Sequence, residues 1–203
     1  PDGPADLLDP LRNQARRLVY LSSTAVYGAA SLVHESTPVD ESTERARARL
    51  EAERASAAGP WSSLILRPAA IYGPGRGVQE SIQRGEHSLS DRFVSRIHVD
   101  DLAAHAEAAL LSTLSGGYPV ADEEPCTSRD IAEFCAQLLN VPVTGTRQER
   151  PDRMPRFANN RRVDGSAIRK ALGITLTYPS YRVGVPAALS GAINNASAGC
   201  QQI

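Results

Sequence analysis

Three consecutive hydroxyl side chains, Ser22, Ser23 and Thr24, stand where the apolar run Leu18–Leu21 stops. A hydroxyl polarises a carbonyl oxygen without changing its own charge, so a serine at the carboxyl end of a buried parallel strand is suited to a ligand crevice. The same residues also suit a plainer task, satisfying backbone groups at the strand end. A second apolar run, Leu64–Leu66, passes into Arg67-Pro68-Ala69-Ala70-Ile71-Tyr72-Gly73-Pro74-Gly75-Arg76. There Pro68 fixes the chain, Ala69 and Ala70 allow close approach, and Tyr72 can stack on a flat ligand or plug the core.

Between the two runs, Arg45 and Arg49 fall at the i, i+4 spacing that puts them on one helix face, where they could bind a phosphate, a ribose or an anionic substrate. The alternative is a solvated helix with Glu41 and Glu53 as ionic partners. Arg147, Arg150, Arg153, Arg156, Arg161 and Arg162 form a basic stretch able to grip phosphates, though Glu149, Asp152 and Asp164 can neutralise part of it. His98 and His105 are seven apart with no third ligand at matching spacing, so no metal site is expected. Cys126, Cys135 and Cys200 show no Cys-x-x-Cys pair and read as reduced structural thiols.

The elements that must position these groups follow from pattern. Strands are expected near Leu18–Ser23 and Ser62–Arg67, separated by a helix over Glu41–Ala57 that Gly59-Pro60 stops. Arg92–Val99 is β-like. Asp100 can cap a helix through about Leu111, and Asp101 suits that capping role better than catalysis. Val120 marks a short strand, and Thr127 or Ser128 can cap Asp130–Leu139. Arg147–Phe157, with two prolines and no periodicity, is a loop or a segment ordered by a ligand. Ser166–Leu172 is a short helix, Ile174–Tyr178 a strand and Pro179–Ile193 an interrupted helix, with a frayed tail over 194–203.

The 203 residues, 41% hydrophobic, suffice for one compact core with a small second lobe. With 22 basic and 23 acidic side chains there is no global field for a nucleic acid or an anionic membrane, and neither is expected as a partner. No apolar stretch approaches the roughly 20 residues that span a bilayer, so a cytoplasmic location is the default expectation. The first residue is Pro1 and the only methionine is Met154, so the chain reads as N-terminally truncated, beginning mid-fold.

Five segments in order carry a resemblance: Ser22-Ser23-Thr24-Ala25-Val26-Tyr27-Gly28, Arg67–Arg76, Ser95-Arg96-Ile97-His98-Val99-Asp100-Asp101-Leu102-Ala103, Val120-Ala121-Asp122-Glu123-Glu124-Pro125 and Tyr178-Pro179-Ser180-Tyr181-Arg182-Val183-Gly184. Together they resemble the extended or atypical short-chain dehydrogenase/reductases, the NAD-dependent epimerase/dehydratase group, in a divergent subgroup with altered active-site residues. The resemblance implies an α/β fold: the C-terminal half of a Rossmann-like parallel sheet over 1–75 and 92–113, and a small α/β substrate-binding lobe over 76–91 and 114–193.

It also implies roles. Ser23 inherits the hydroxyl that hydrogen-bonds the reacting substrate oxygen, with Thr24 beside the substrate. Thr24 and Ala25 occupy the place of the acidic pair of sugar-nucleotide dehydratases, which argues against dehydration. Pro68, Ala69 and Ala70 line the nicotinamide, while Tyr72, Arg76 and Arg162 face the substrate. The family's Tyr-x-x-x-Lys aligns with Arg45 and Arg49, and Lys170, the only lysine, has Ser166 four residues before it, so no tyrosine can head such a motif. Arg45 is a poor acid or base, whereas Arg49 can take the lysine's cofactor-binding role. The implied chemistry is hydride transfer with NAD or NADP in a full-length parent, on a sugar-like or nucleotide-linked carbonyl compound. The glycine-rich pyrophosphate turn is absent, and Gly73-Pro74-Gly75-Arg76-Gly77 is no substitute, so this chain alone is expected to bind the cofactor weakly or not at all. A non-catalytic dinucleotide sensor or scaffold and an inactive fragment stand as alternatives. A homodimer that covers the sheet edge would argue against the fragment.

Overall fold

Leu64, Ile65 and Leu66 are buried in succession, which requires covering layers on both faces of their strand. In the computed structural model, which describes residues 8–87, 89–143 and 160–199 (backbone only from residue 192), this strand is β3 (Ser62–Pro68). It lies between β1 (Arg17–Leu21) and β7 (Gly116–Val120) in a parallel sheet of order β1-β3-β7. The open parallel sheet and α/β class agree with the sequence pattern. The first crossover is α1 (Glu44–Ala57), which starts three residues later than expected because Thr43 accepts a hydrogen bond from the Ala46 amide and caps it.

The lobe boundary needs correction. Gly116–Val120 was expected in the second lobe, yet it pairs with β3 over its whole length. Helix α5 (Ser166–Leu172) also joins the sheet layer, for Ile168 is buried with Leu64, Leu66, Val120 and with Ile97, Leu102 and Ala109 around α3 (Val99–Leu111). An apolar strand with Tyr118 and Val120 facing this cluster gains more by completing the parallel sheet than by standing in a small lobe.

Outside the three-stranded sheet, short strands pair in twos: β2 (Leu32–Val33) parallel to β9 (Arg162–Val163), β4 (Ala70–Tyr72) parallel to β6 (Arg96–His98), and β5 (Phe93–Val94) antiparallel to β8 (Cys126–Thr127). Arg92–Val99 therefore forms two strands, not one. They break at Ser95, whose carbonyl accepts from the Ala70 amide and whose hydroxyl accepts from the Val163 amide at 2.8 Å. Helices α2 (Val78–Gln83) and α4 (Ser128–Leu139) enclose Ile82, Ile131 and Cys135 with Tyr72. A reciprocal capping box of Thr127 and Asp130 starts α4, and Asn140 in the left-handed region ends it. Thr127→Ala is expected to lower stability by about 1 kcal/mol, read as a shift of the urea midpoint at constant slope.

Three further expectations are corrected. Ile174–Tyr178 is not a strand: the buried Asp101 carboxylate accepts from the Thr177 and Tyr178 amides at 2.8 and 2.9 Å, satisfying donors that a ladder would otherwise take. Asp101 is thereby committed to that segment, and His98 caps α3 by accepting from the Asp100 amide. The last helix, α6 (Tyr181–Gly199), is continuous past Asn194, where a frayed tail was expected. The segment Arg147–Phe157, with its four arginines, and Cys200 lie outside the described residues.

Candidate functional site

The carboxyl ends of β1, β3 and β7 share one edge of the sheet, since Leu21 pairs with Leu66 and Pro68 with Val120. Beyond that edge the Ser22 amide donates to the Leu66 carbonyl at 2.7 Å and the Ala69 amide to the Val120 carbonyl at 2.9 Å, so the chains leave the sheet still in register. Open parallel sheets bind ligands at such edges.

Ser23 begins a 3-10 turn over Thr24–Tyr27, and its hydroxyl oxygen accepts from the Ala25 amide at 3.2 Å. The hydroxyl hydrogen is free of that bond and can still be donated outward. The neighbouring Ser22 hydroxyl is buried without a hydrogen-bond partner among the described residues. Gly28 closes the turn with φ of 55°, and a side chain there would collide with the Asp40 carboxylate.

Beneath the turn lies a polar network that the pattern of charges did not reveal. Arg67 donates to both Glu53 oxygens, at 3.0 and 2.7 Å, and to the Tyr27 hydroxyl at 3.1 Å. Both members of the ion pair are largely buried. Glu53 is thus taken by Arg67 and Glu41 by Arg54, so neither serves Arg49 or Arg45 as an ionic partner. Arg45 is exposed and Arg49 half-buried on α1. Burial raises the Tyr27 pKa against the opposing pull of Arg67, which makes its hydroxyl a weaker acid than a free phenol.

At the end of β3, Pro68 and Ala69 are buried and Ala70 is exposed. Tyr72 is corrected from a substrate contact to a core residue. It is 3% exposed, packs edge-on to His98 and reaches the Ser180 carbonyl at 3.4 Å. A side chain at Gly184 would strike its hydroxyl, so helix α6 is fitted around it. Arg76 is exposed on a tight turn in which Gly73 and Arg76 exchange both backbone hydrogen bonds. Those amides are consumed by the turn itself and form no phosphate cradle.

Arg161 and Arg162 part company. Arg161 is buried and donates to the carbonyls of Thr24, Gly28 and Ala30. Arg162 is exposed, lies 3.6 Å over the Phe93 ring, and lines a separate cleft of about 400 Å³ with Leu32, His34, Asp122, Asp164 and Arg169. None of Ser23, Arg49 or Pro68–Ala70 lines this cleft. The structure therefore gathers Ser23, Thr24, Pro68 and Ala69 at the strand edge and sets Tyr72, Arg76 and Arg162 apart from them.

Asp122, just past β7, is 2% exposed, and neither carboxylate oxygen reaches hydrogen-bond geometry with a described group. Burial raises its pKa to about 8, against the opposing effects of Arg96 and nearby backbone amides. Among the described residues no helix is long and apolar enough to cross a membrane, and no cluster of His, Cys, Asp and Glu could hold a metal ion.

Toward a dinucleotide, the strand edge offers the small side chains of Pro68, Ala69 and Ala70 and the Ser23 turn. The glycine-rich turn that leads from β4 into α2, Gly73–Gly77, spends the Gly73 and Arg76 amides on its own closure and has no amide at Pro74, so it does not fit the pyrophosphate.

Comparison with known proteins agrees with this geometry. A curated relative, the 3-diazoavenalumate denitrifying reductase of a Streptomyces species, is 29% identical over 155 residues, covering 68% of this chain and 51% of its own length. The chain thus spans about half of that relative. A functionally unknown conserved protein from Silicibacter pomeroyi DSS has a solved structure that superposes with a TM-score of 0.79 at 34% identity, covering 92% of this chain and 71% of the other. The Bordetella bronchiseptica enzyme WbmG, solved in complex with NAD and UDP, shares the fold with a TM-score of 0.75 at 15% identity, covering 95% of this chain and 65% of its own. The family model of the NAD dependent epimerase/dehydratase family matches residues 2–149, and with the strand-edge serine turn and parallel sheet in place, the chain belongs to that family.

Proposed function

We propose that this chain supplies the substrate-orienting part of an NAD(P)-dependent reductase or epimerase acting on a sugar-like or nucleotide-linked carbonyl compound. The observation that carries the reading is the Ser23 turn at the shared carboxyl edge of β1 and β3, the edge where Pro68 ends β3, with a hydroxyl hydrogen not used in the bond from Ala25. A bound nicotinamide would supply the hydride. Ser23 would donate a hydrogen bond to the reacting oxygen, and Arg49 would bind the cofactor in place of a lysine. The reductase name of the Streptomyces relative and the NAD and UDP of the Bordetella structure support this class of chemistry.

A second reading is a non-catalytic dinucleotide sensor. It is favoured by the placing of Arg45 and Arg49 at the family's Tyr and Lys positions in our reading of the resemblance, and by the raised pKa of Tyr27, which makes that tyrosine a poor proton donor.

The test is NADH and NADPH fluorescence with the 203-residue chain and with the longest polypeptide encoded in frame with it, followed by turnover on carbonyl and sugar-nucleotide substrates. The chain alone should bind weakly and the longer polypeptide well, and Ser23→Ala should lower kcat about a hundredfold. Binding without turnover, with Ser23→Ala silent, would establish the sensor instead. No binding by either polypeptide at millimolar cofactor would remove both readings.

A further inference from the structure

The turn that carries Ser23 is framed by one side chain that lies 131 residues beyond Ala30 in the chain. The Arg161 guanidinium donates to the carbonyls of Thr24, Gly28 and Ala30, the last at 2.9 Å, and the residue is only 4% exposed. The three acceptors bracket the turn: Thr24 opens it, Gly28 follows its last residue, and Ala30 lies on the chain leaving it. The clamp is itself anchored. The Arg161 amide donates to the Phe93 carbonyl at 2.9 Å, and two residues on, the Val163 amide donates to Ser95 at 2.8 Å.

Among the described residues no carboxylate lies within ion-pair distance of Arg161, and the described partners of its guanidinium are carbonyl oxygens. Burial lowers its pKa accordingly. Burying an arginine without a counter-ion costs free energy, and a planar fork is the group that can engage several separated carbonyls at once. Ser23 belongs to the same framed unit: its hydroxyl accepts from Ala25, and its carbonyl accepts from the Val26 amide at 3.3 Å.

We propose that Arg161 is the positioning residue for Ser23, fixing the 3-10 turn so that the serine hydroxyl is presented at the strand edge. This rests on the functional reading above, in which Ser23 orients substrate. A lysine could keep the charge but offers a single point of attachment, so the proposal assigns the effect to the fork and not to the charge.

The first measurement is amide hydrogen exchange by NMR on the 203-residue chain, as wild type, Arg161→Lys and Arg161→Met. The Ala25 and Val26 amides, which Arg161 does not touch, should exchange about tenfold or more faster in both variants while those of Leu64–Leu66 are unchanged. Unchanged protection at Ala25, or a uniform rise that includes Leu64–Leu66, would overturn the proposal. Arg161→Lys serves as the informative variant should the methionine form not fold.

The second is turnover by the in-frame polypeptide. Arg161→Lys should lower kcat about tenfold or more with KM for the cofactor nearly constant. Wild-type turnover that depends on Ser23 but is indifferent to Arg161→Lys would sink the positioning role and leave the functional reading intact. Absence of wild-type turnover would sink the functional reading, and the exchange measurement would then decide by itself whether Arg161 fixes the turn.

Discussion

Glu53→Ala is expected to destabilise the fold by about 3–5 kcal/mol, the range found when one partner of a buried ion pair is removed and the other is left uncompensated. Arg67 cannot escape the consequence. It is fixed in β3 between buried Leu66 and Pro68, with Tyr27 already receiving one of its donors. Two of its nitrogens would lose their carboxylate, and the charge would remain in the same place. The loss would appear in urea or thermal unfolding of Glu53→Ala as a lower midpoint at nearly constant slope.

The double variant Arg67→Met with Glu53→Leu removes both charges and keeps most of the volume, so it should recover most of what Glu53→Ala loses. A double-mutant cycle built on these changes should show coupling of more than about 1 kcal/mol. A cost below about 1 kcal/mol for Glu53→Ala would mean that the pair behaves as a screened surface bridge, against its burial here. The outcome bears on the site as well, because Arg67 is the link by which α1 and the Ser23 turn are joined through Tyr27.

What the sequence could disclose follows from the range over which each interaction acts. The strands β1 and β3 are legible because an apolar run ending in serines or in Arg-Pro-Ala-Ala can be read within a few residues. So is the start of α4, since Thr127 and Asp130 cap each other locally. The α/β class and the family follow from such segments taken in order. Arg67 carries a signal of its own: a guanidinium ending the run Leu64–Leu66 needs a buried partner, and Glu53 on the preceding helix supplies one. Its assignment as a solvated partner of Arg49 failed because i, i+4 spacing records only neighbours on one helix.

Arg161 had no comparable signal. It sits in a run of arginines, and only the pairing of β2 with β9 brings it under the Ser23 turn. Tyr72 was ambiguous for the same reason, since its burial is decided by Gly184 and Tyr181, more than a hundred residues away. Val120 showed a strand, but its place in the main sheet depends on Ile65 and Leu66 accepting Gly117 and Tyr118 as partners. Local pattern names elements, while the sheet to which an element belongs is settled by surfaces from distant parts of the chain.

Stability should fall as pH rises from about 6.5 to about 8, and Asp122 should be the main cause. Its pKa is raised by burial from an ordinary 3.8 to about 8, so between those two values the folded chain keeps a proton that the unfolded chain has released. The stabilisation is complete below the unfolded value and is lost as pH climbs to the folded one. With about 1.4 kcal/mol for each unit, the whole window carries on the order of 5 kcal/mol. Three histidines act in the opposite sense. His87, His98 and His105 are pushed down by burial, so their contribution rises with pH and is confined to the region below about 6.5. Among the groups around Asp122, Cys126 is raised to about 11 by burial, which places it outside the window. Between pH 6.5 and 8 the slope therefore belongs to Asp122. Asp122→Asn cannot ionise, so urea unfolding of the variant should be nearly flat there and should exceed the wild type in stability at pH 8. A variant that retains the wild-type slope would show that the carboxylate is satisfied in its charged form, by Arg96 or by the Glu124 amide, and that the cost of its burial has already been met.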